Sequence, residues 1–128
     1  MRLIVDGNNV MGSRPDGWWR DRAGAAARLA EALGAWAEAA GREGVVVVFD
    51  GRRPAGFPDP PAAVEVRFAE RPGRDAADDA IAALVAAAGS PAELEVVTSD
   101  AGLARRVREH GAAVRTAGAF RREVEGSR

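Results

Sequence analysis

The 128-residue chain has no cysteine, so it has no disulfide framework and no thiolate metal site. It also has no lysine; all 18 of its Lys+Arg residues are arginines. Receiver domains with a phospho-acceptor aspartate, and phosphatases with an aspartate nucleophile, both depend on a lysine and are thereby disfavoured. The single histidine, His110, stands beside Gly111 at an expected helix end, where it compensates the helix dipole at the surface and is no candidate base. No apolar run is long enough to cross a bilayer, and the N-terminus begins a strand rather than a signal peptide, so the cytoplasm is the expected location. A net charge of −1 argues against binding polyanions through the overall field, leaving local charge as the only route. With no internal Pro- or Ser-rich linker, residues 1–118 read as one domain and residues 119–128 as a charged tail. Abundant Ala and Gly make coding bias the simplest reading of the arginine excess, with bidentate phosphate geometry as the functional alternative.

What is present is a series of short apolar runs that stop on carboxylates. Leu3-Ile4-Val5 ends at Asp6, followed by Gly7-Asn8-Asn9. Val45 to Phe49 ends at Asp50-Gly51, and Leu94 to Thr98 runs into Ser99-Asp100. Continuous apolar runs of this length suit strands buried on both faces of a parallel sheet. Val64 to Phe68 alternates around Glu65 and Arg67, as an edge strand does, and spacing alone leaves its direction open. Ala112 to Arg115 supplies a fifth strand. The expected architecture is α/β, with three layers and a mostly parallel central sheet of about five strands flanked by helices.

Between the first two strands, Met11 to Asp21 reads as a loop carrying Arg14, Trp18, Trp19, Arg20 and Arg22. Asp21 to Ala40 follows as a helix with a seam of Leu29, Leu33 and Trp36, closed by Gly41 in the position of a left-handed C-cap. Four of the seven prolines lie between Arg52 and Pro61, which excludes a helix there. Asp75 has the position of an N-cap for a helix reaching about Ala88. On that helix Asp78 falls about 60° from the centre of the apolar face, at its border, whereas Asp79 falls on the far side. Ala101 to His110 is a short helix that Ser99 or Asp100 would cap.

Any one of these acids is explained by a cap or a turn. Four of them at one rim, outside the carboxyl ends of the strands where open α/β sheets bind ligands, suggest a shared site. Carboxylates held close together repel, so they either take up protons or hold a cation. Oxygen ligands without His or Cys suit Mg2+ or Mn2+ rather than zinc, and such a site supports phosphodiester hydrolysis.

Asp6-Gly7-x-Asn9, Phe49-Asp50-Gly51, Ala77-Asp78-Asp79 and Thr98-Ser99-Asp100, in this order, resemble the NYN domain of the PIN-like nuclease superfamily, most closely its YacP-like branch. The resemblance runs from about residue 2 to 117. It implies a parallel-sheet fold, a divalent metal (Mg2+ or Mn2+), and endoribonuclease activity or at least RNA binding, with association with the ribosome as a further expectation. Asp6, Asp78 and Asp100 match the acidic metal site, and Asn9, Asp50 and Ser99 the supporting polar positions, with Asp79 beside them. The chain departs from the branch at Asn8, where an aromatic is usual, and at Asp79, where a small hydroxyl residue is common.

Arg14, Arg20, Arg52, Arg53, Arg71 and Arg74 fall in loops expected on the acidic rim and together suit a single RNA strand, with Trp18 as a stacking platform; the alternative is that Trp18 and Trp19 both pack against the following helix. Arg105, Arg106 and Arg108 read as a solvated helix face. A dinucleotide-binding enzyme is disfavoured because no glycine fingerprint follows the first strand. The remaining rival is a non-catalytic RNA-binding or adaptor module with the same fold.

Overall fold

The computed structural model describes residues 2–14, 16–70 and 75–126. Its strands are β1 (Arg2–Asp6), β2 (Val45–Asp50), β3 (Val64–Ala69), β4 (Leu94–Val97) and β5 (Ala113–Arg115). They form one sheet in the order β3-β2-β1-β4-β5, and every pairing is parallel. The direction of the third strand, left open by its spacing, is therefore settled: Val45 pairs with Val64 and Asp50 with Ala69. The helices are α1 (Gly7–Met11), α2 (Arg22–Ala40), α3 (Ala76–Ala87), α4 (Ala101–Glu109) and α5 (Ala117–Gly126). Among the described residues no helix is long and apolar enough to cross a membrane.

Because strand side chains alternate, β1 serves two cores at once. Leu3 and Val5 pack with Val45, Val47 and Phe49 against α1, α2 and α5, while Ile4, Val46, Val48 and Val96 pack against α3 and α4. The result is three layers. Burying both faces is why these strands read as unbroken Val/Ile/Leu runs rather than as alternation.

Three local expectations are corrected. The segment from Met11 to Asp21 is not loop throughout, since Met11 closes a helical turn that begins at Gly7 and Trp18–Arg20 forms a 3-10 turn. Val10 and Met11, both buried, hold α1 by packing, which overrides the poor helix propensity of Asn8 and Asn9. Asp75 does not cap α3 through its side chain. Finally, residues 119–126 are not a tail outside the domain. They belong to α5, which buries Ala117, Phe120 and Val124, with Phe120 edge-on to Trp36 at 5.0 Å. The Trp36 indole N–H donates to Glu123 at 3.0 Å, tying α5 to α2.

Two glycines have spatial reasons. Gly41 ends α2 at φ 65°, as its sequence position predicts. At Gly7 a Cβ would lie 2.4 Å from the Phe49 ring, so only glycine lets the chain leave β1 across that buried side chain.

Candidate functional site

The sheet order reverses at β1. The chain moves outward to β2 and β3 on one side, then returns to β4 and β5 on the other. The crevice at the carboxyl ends of β1 and β4 is therefore the topological switch point, where such sheets bind ligands. Asp6 ends β1 and is only 4% exposed. One of its oxygens accepts the Thr98 hydroxyl at 2.8 Å, and the backbone N–H of Asn9 also donates to the carboxylate.

The two asparagines of α1 brace the strands on either side. Asn8 Oδ1 accepts the Asp50 N–H at 2.7 Å, reaching the end of β2. Asn9 Oδ1 accepts the Ser99 N–H at 2.7 Å, reaching the segment after β4. Asp50 Oδ1 in turn accepts the Ala77 N–H at 2.9 Å, so the N-terminus of α3 is capped from β2 rather than by Asp75. The Ser99 hydroxyl accepts the Ala117 N–H at 2.9 Å and starts α5. Asp100 Oδ1 accepts the Leu103 N–H at 2.8 Å and caps α4, while the Asp100 N–H donates to Thr98 Oγ1 at 3.1 Å. A single polar network thus joins three strand ends to four helix starts. The expected cap role of Asp100 and its place in the acidic group coexist, because a carboxylate has a second oxygen.

The electrostatics place the acids in one shared field. Burial pushes the Asp6 carboxyl up from 3.8 to about 6, against the lowering effect of Thr98 and Asn9, with Asp50 and Asp100 adding repulsion. Asp78, partly buried on the border of α3, is also pushed up to about 6, first by burial and then by Asp6, Asp100, Asp75 and Asp50. Among the described residues, no three His, Cys, Asp or Glu side chains are arranged to enclose an ion. The donor chemistry nevertheless fits a hard divalent cation: oxygen only, with two carboxyls whose negative charge is disfavoured unless something offsets it.

Other expected site residues have different surroundings. Asp79 forms an ion pair with Arg106 at 2.9 Å, linking α3 to α4. Arg14 pairs with Glu125 at 2.9 Å. Arg53 lies over Phe57 and Phe68, and Arg20 over Trp19 at 5.8 Å. Arg52 lines a small cavity that also includes Asn8 and Asp50. Trp18 packs against the core beneath Arg22, so the indole open to solvent is Trp19, at 50% exposure. Arg71 and Arg74 lie outside the described residues. Asn8 and Thr98 are not among the site residues expected from sequence, although both fall within the quoted motifs. The doubled asparagine after a strand end was the available signal for Asn8; Thr98, the last residue of an apolar run, gave none. A separate cavity of about 290 Å3 between α1, α2 and α5 contains no member of the acidic cluster.

A three-layer α/β domain with an all-parallel β3-β2-β1-β4-β5 sheet and aspartates gathered at its switch point has the PIN-like fold. The chain belongs to the YacP-like NYN domain family, which it matches over residues 3–128 and whose members are generally nucleases. It is similar to the crystal structure of Rae1 (YacP) from Bacillus subtilis, at 27% identity and a TM-score of 0.78, covering 99% of this chain and 75% of that one. A crystal structure of a single-residue variant of the same Bacillus subtilis protein gives 28% identity, a TM-score of 0.75, and coverage of 99% and 76%. No curated protein matches the chain.

Proposed function

We propose that this domain is a divalent-metal-dependent endoribonuclease that hydrolyses RNA phosphodiester bonds at the cluster of Asp6, Asp78 and Asp100. The observation that carries this reading is the hydrogen-bond network that draws Asp6, Asp50 and Asp100 to the switch point, with Asp78 on the first turn of α3 close enough to feel the charge of all three. Burying and crowding carboxylates destabilises a fold, so their retention at a ligand crevice points to an ionic partner.

Asp6, Asp78 and Asp100 would hold Mg2+ or Mn2+, which when bound supplies Lewis-acid stabilisation of phosphate oxygens and eases deprotonation of water. The chain's own groups do the positioning. Thr98 and the Asn9 N–H orient the Asp6 carboxylate. Asn9, Asp50 and Ser99 hold the strand ends and helix starts in register around it. Trp19 and Arg20, exposed together, suit stacking on a single-stranded base.

The test is cleavage of single-stranded RNA with Mg2+ or Mn2+ by the wild type, Asp6→Asn and Asp100→Asn. Asparagine caps a helix as well as aspartate does, so Asp100→Asn keeps α4 and isolates the loss of charge. The expected result is cleavage by the wild type and none by either folded variant. That no three His, Cys, Asp or Glu side chains among the described residues are arranged to enclose an ion favours the rival reading, a non-catalytic RNA-binding module. RNA binding by the wild type without metal-dependent cleavage would establish it.

A further inference from the structure

The arginines near the acidic rim differ in their partners. Arg14 and Arg121 are both held by Glu125, Arg106 by Asp79, and Arg115 by Glu95 and Glu123. Arg20, Arg22, Arg52 and Arg53 have no carboxylate partner among the described residues; three of them lie instead over the rings of Trp19, Trp18 and Phe57 or Phe68. Unpaired guanidiniums on aromatic faces keep their donors available for phosphate.

Two of these four, Arg22 and Arg52, line a cavity of about 180 Å3 between α1, the start of α2 and the loop after β2. Its apolar walls include Met11, Phe49 and Phe68, and its remaining polar lining includes Asn8 and Asp50, the same residues that brace the acidic cluster. The cavity is smaller than the range usual for whole small-molecule ligands, but its flat apolar walls and flanking guanidiniums suit one planar ring. Arg22 lies over the Trp18 ring at 5.4 Å while also lining the cavity, so its guanidinium is held at the cavity wall by an aromatic face rather than by a carboxylate.

We propose that this cavity receives one base of the RNA strand, the base adjoining the phosphodiester at the acidic cluster, with Arg22 and Arg52 holding the flanking phosphates. The strand then leaves the cluster over the β2–β3 side of the sheet, toward Trp19 and Arg20. The arrangement also answers an electrostatic need, because a polyanion approaching four aspartates requires cations beside them. This inference rests on the RNA-cleaving reading given above.

The test uses the wild-type protein, a fluorescein-labelled single-stranded RNA oligonucleotide and a set of the same RNA carrying one abasic residue at each position. Binding is read by anisotropy in EDTA and cleavage in Mn2+. A single abasic position next to the cut bond is expected to weaken binding or cleavage roughly tenfold, the others much less. Arg22→Ala with Arg52→Ala is expected to reduce the salt dependence of binding by about the contribution of one to two phosphates. Arg105→Ala with Arg108→Ala, an equal loss of exposed charge on α4, is expected to change neither. RNA that is bound and cut with every abasic position equally tolerated, or with both arginine pairs behaving alike, overturns the base subsite and leaves the nuclease reading standing. A wild type that neither binds nor cuts RNA overturns both.

Discussion

Replacing Asp6 by asparagine should make the metal-free protein more stable near neutral pH. Asp6 is 4% exposed, and its carboxyl is raised from 3.8 to about 6, chiefly by burial. That displacement corresponds to ~3 kcal/mol against the folded state once the group is ionised. The native state binds the proton more tightly than the unfolded chain, so stability is highest below about pH 4 and falls as pH rises toward 6. Asparagine removes the charge and keeps an oxygen for the Thr98 hydroxyl, but its amide then faces the Asn9 N–H, at a cost of about 1 kcal/mol. The net expectation is a gain of ~2 kcal/mol at pH 7.5, shrinking to about zero near pH 4.5. Urea unfolding of both proteins in EDTA at the two pH values measures it. A destabilised variant at pH 7.5, or a difference independent of pH, would refute the argument. Mg2+ should stabilise the wild type, by about 2.7 kcal/mol at a hundredfold excess over its dissociation constant, and leave Asp6→Asn largely unchanged.

Gly7→Ala should lose about 1–3 kcal/mol in thermal unfolding, because the new methyl meets the immovable Phe49 ring. Asp50→Ala should cost about 1 kcal/mol through loss of the α3 cap, whereas Asp75→Ala, whose side chain caps nothing, should fall within ~0.5 kcal/mol of wild type. Phe120→Ala should cost ~3–5 kcal/mol by urea titration, since Phe120 is fully buried against Trp36. A tail lying outside the domain would show almost no effect.

The parts of this fold legible in the sequence were those set by uninterrupted patterns. Leu3-Ile4-Val5 and Val45 to Phe49 announced buried parallel strands, and the helical phase of Asp78 placed it on the inward border where it meets the field of Asp6. The parts that escaped depend on contacts between distant segments. Phe120 and Val124 stand four apart on one face, but Arg121, Arg122, Glu123 and Glu125 around them hid the only signal for α5. Local rules assigned the α3 cap to Asp75, one residue before the helix, while the folded chain brings Asp50 to it from 27 residues away. Asn8 departs from the branch's usual aromatic, yet its amide makes the brace to β2. Which arginines pair with carboxylates and which do not is a tertiary property that no spacing encodes.

Everything depends on whether the three aspartates share one ion. Crystals of the wild-type protein soaked in Mn2+ and measured at the manganese edge test this directly. The account predicts an anomalous peak contacted by Asp6, Asp78 and Asp100, absent from Asp6→Asn crystals. Density showing each carboxylate engaged only with its own backbone partners, and no manganese among them, would contradict it.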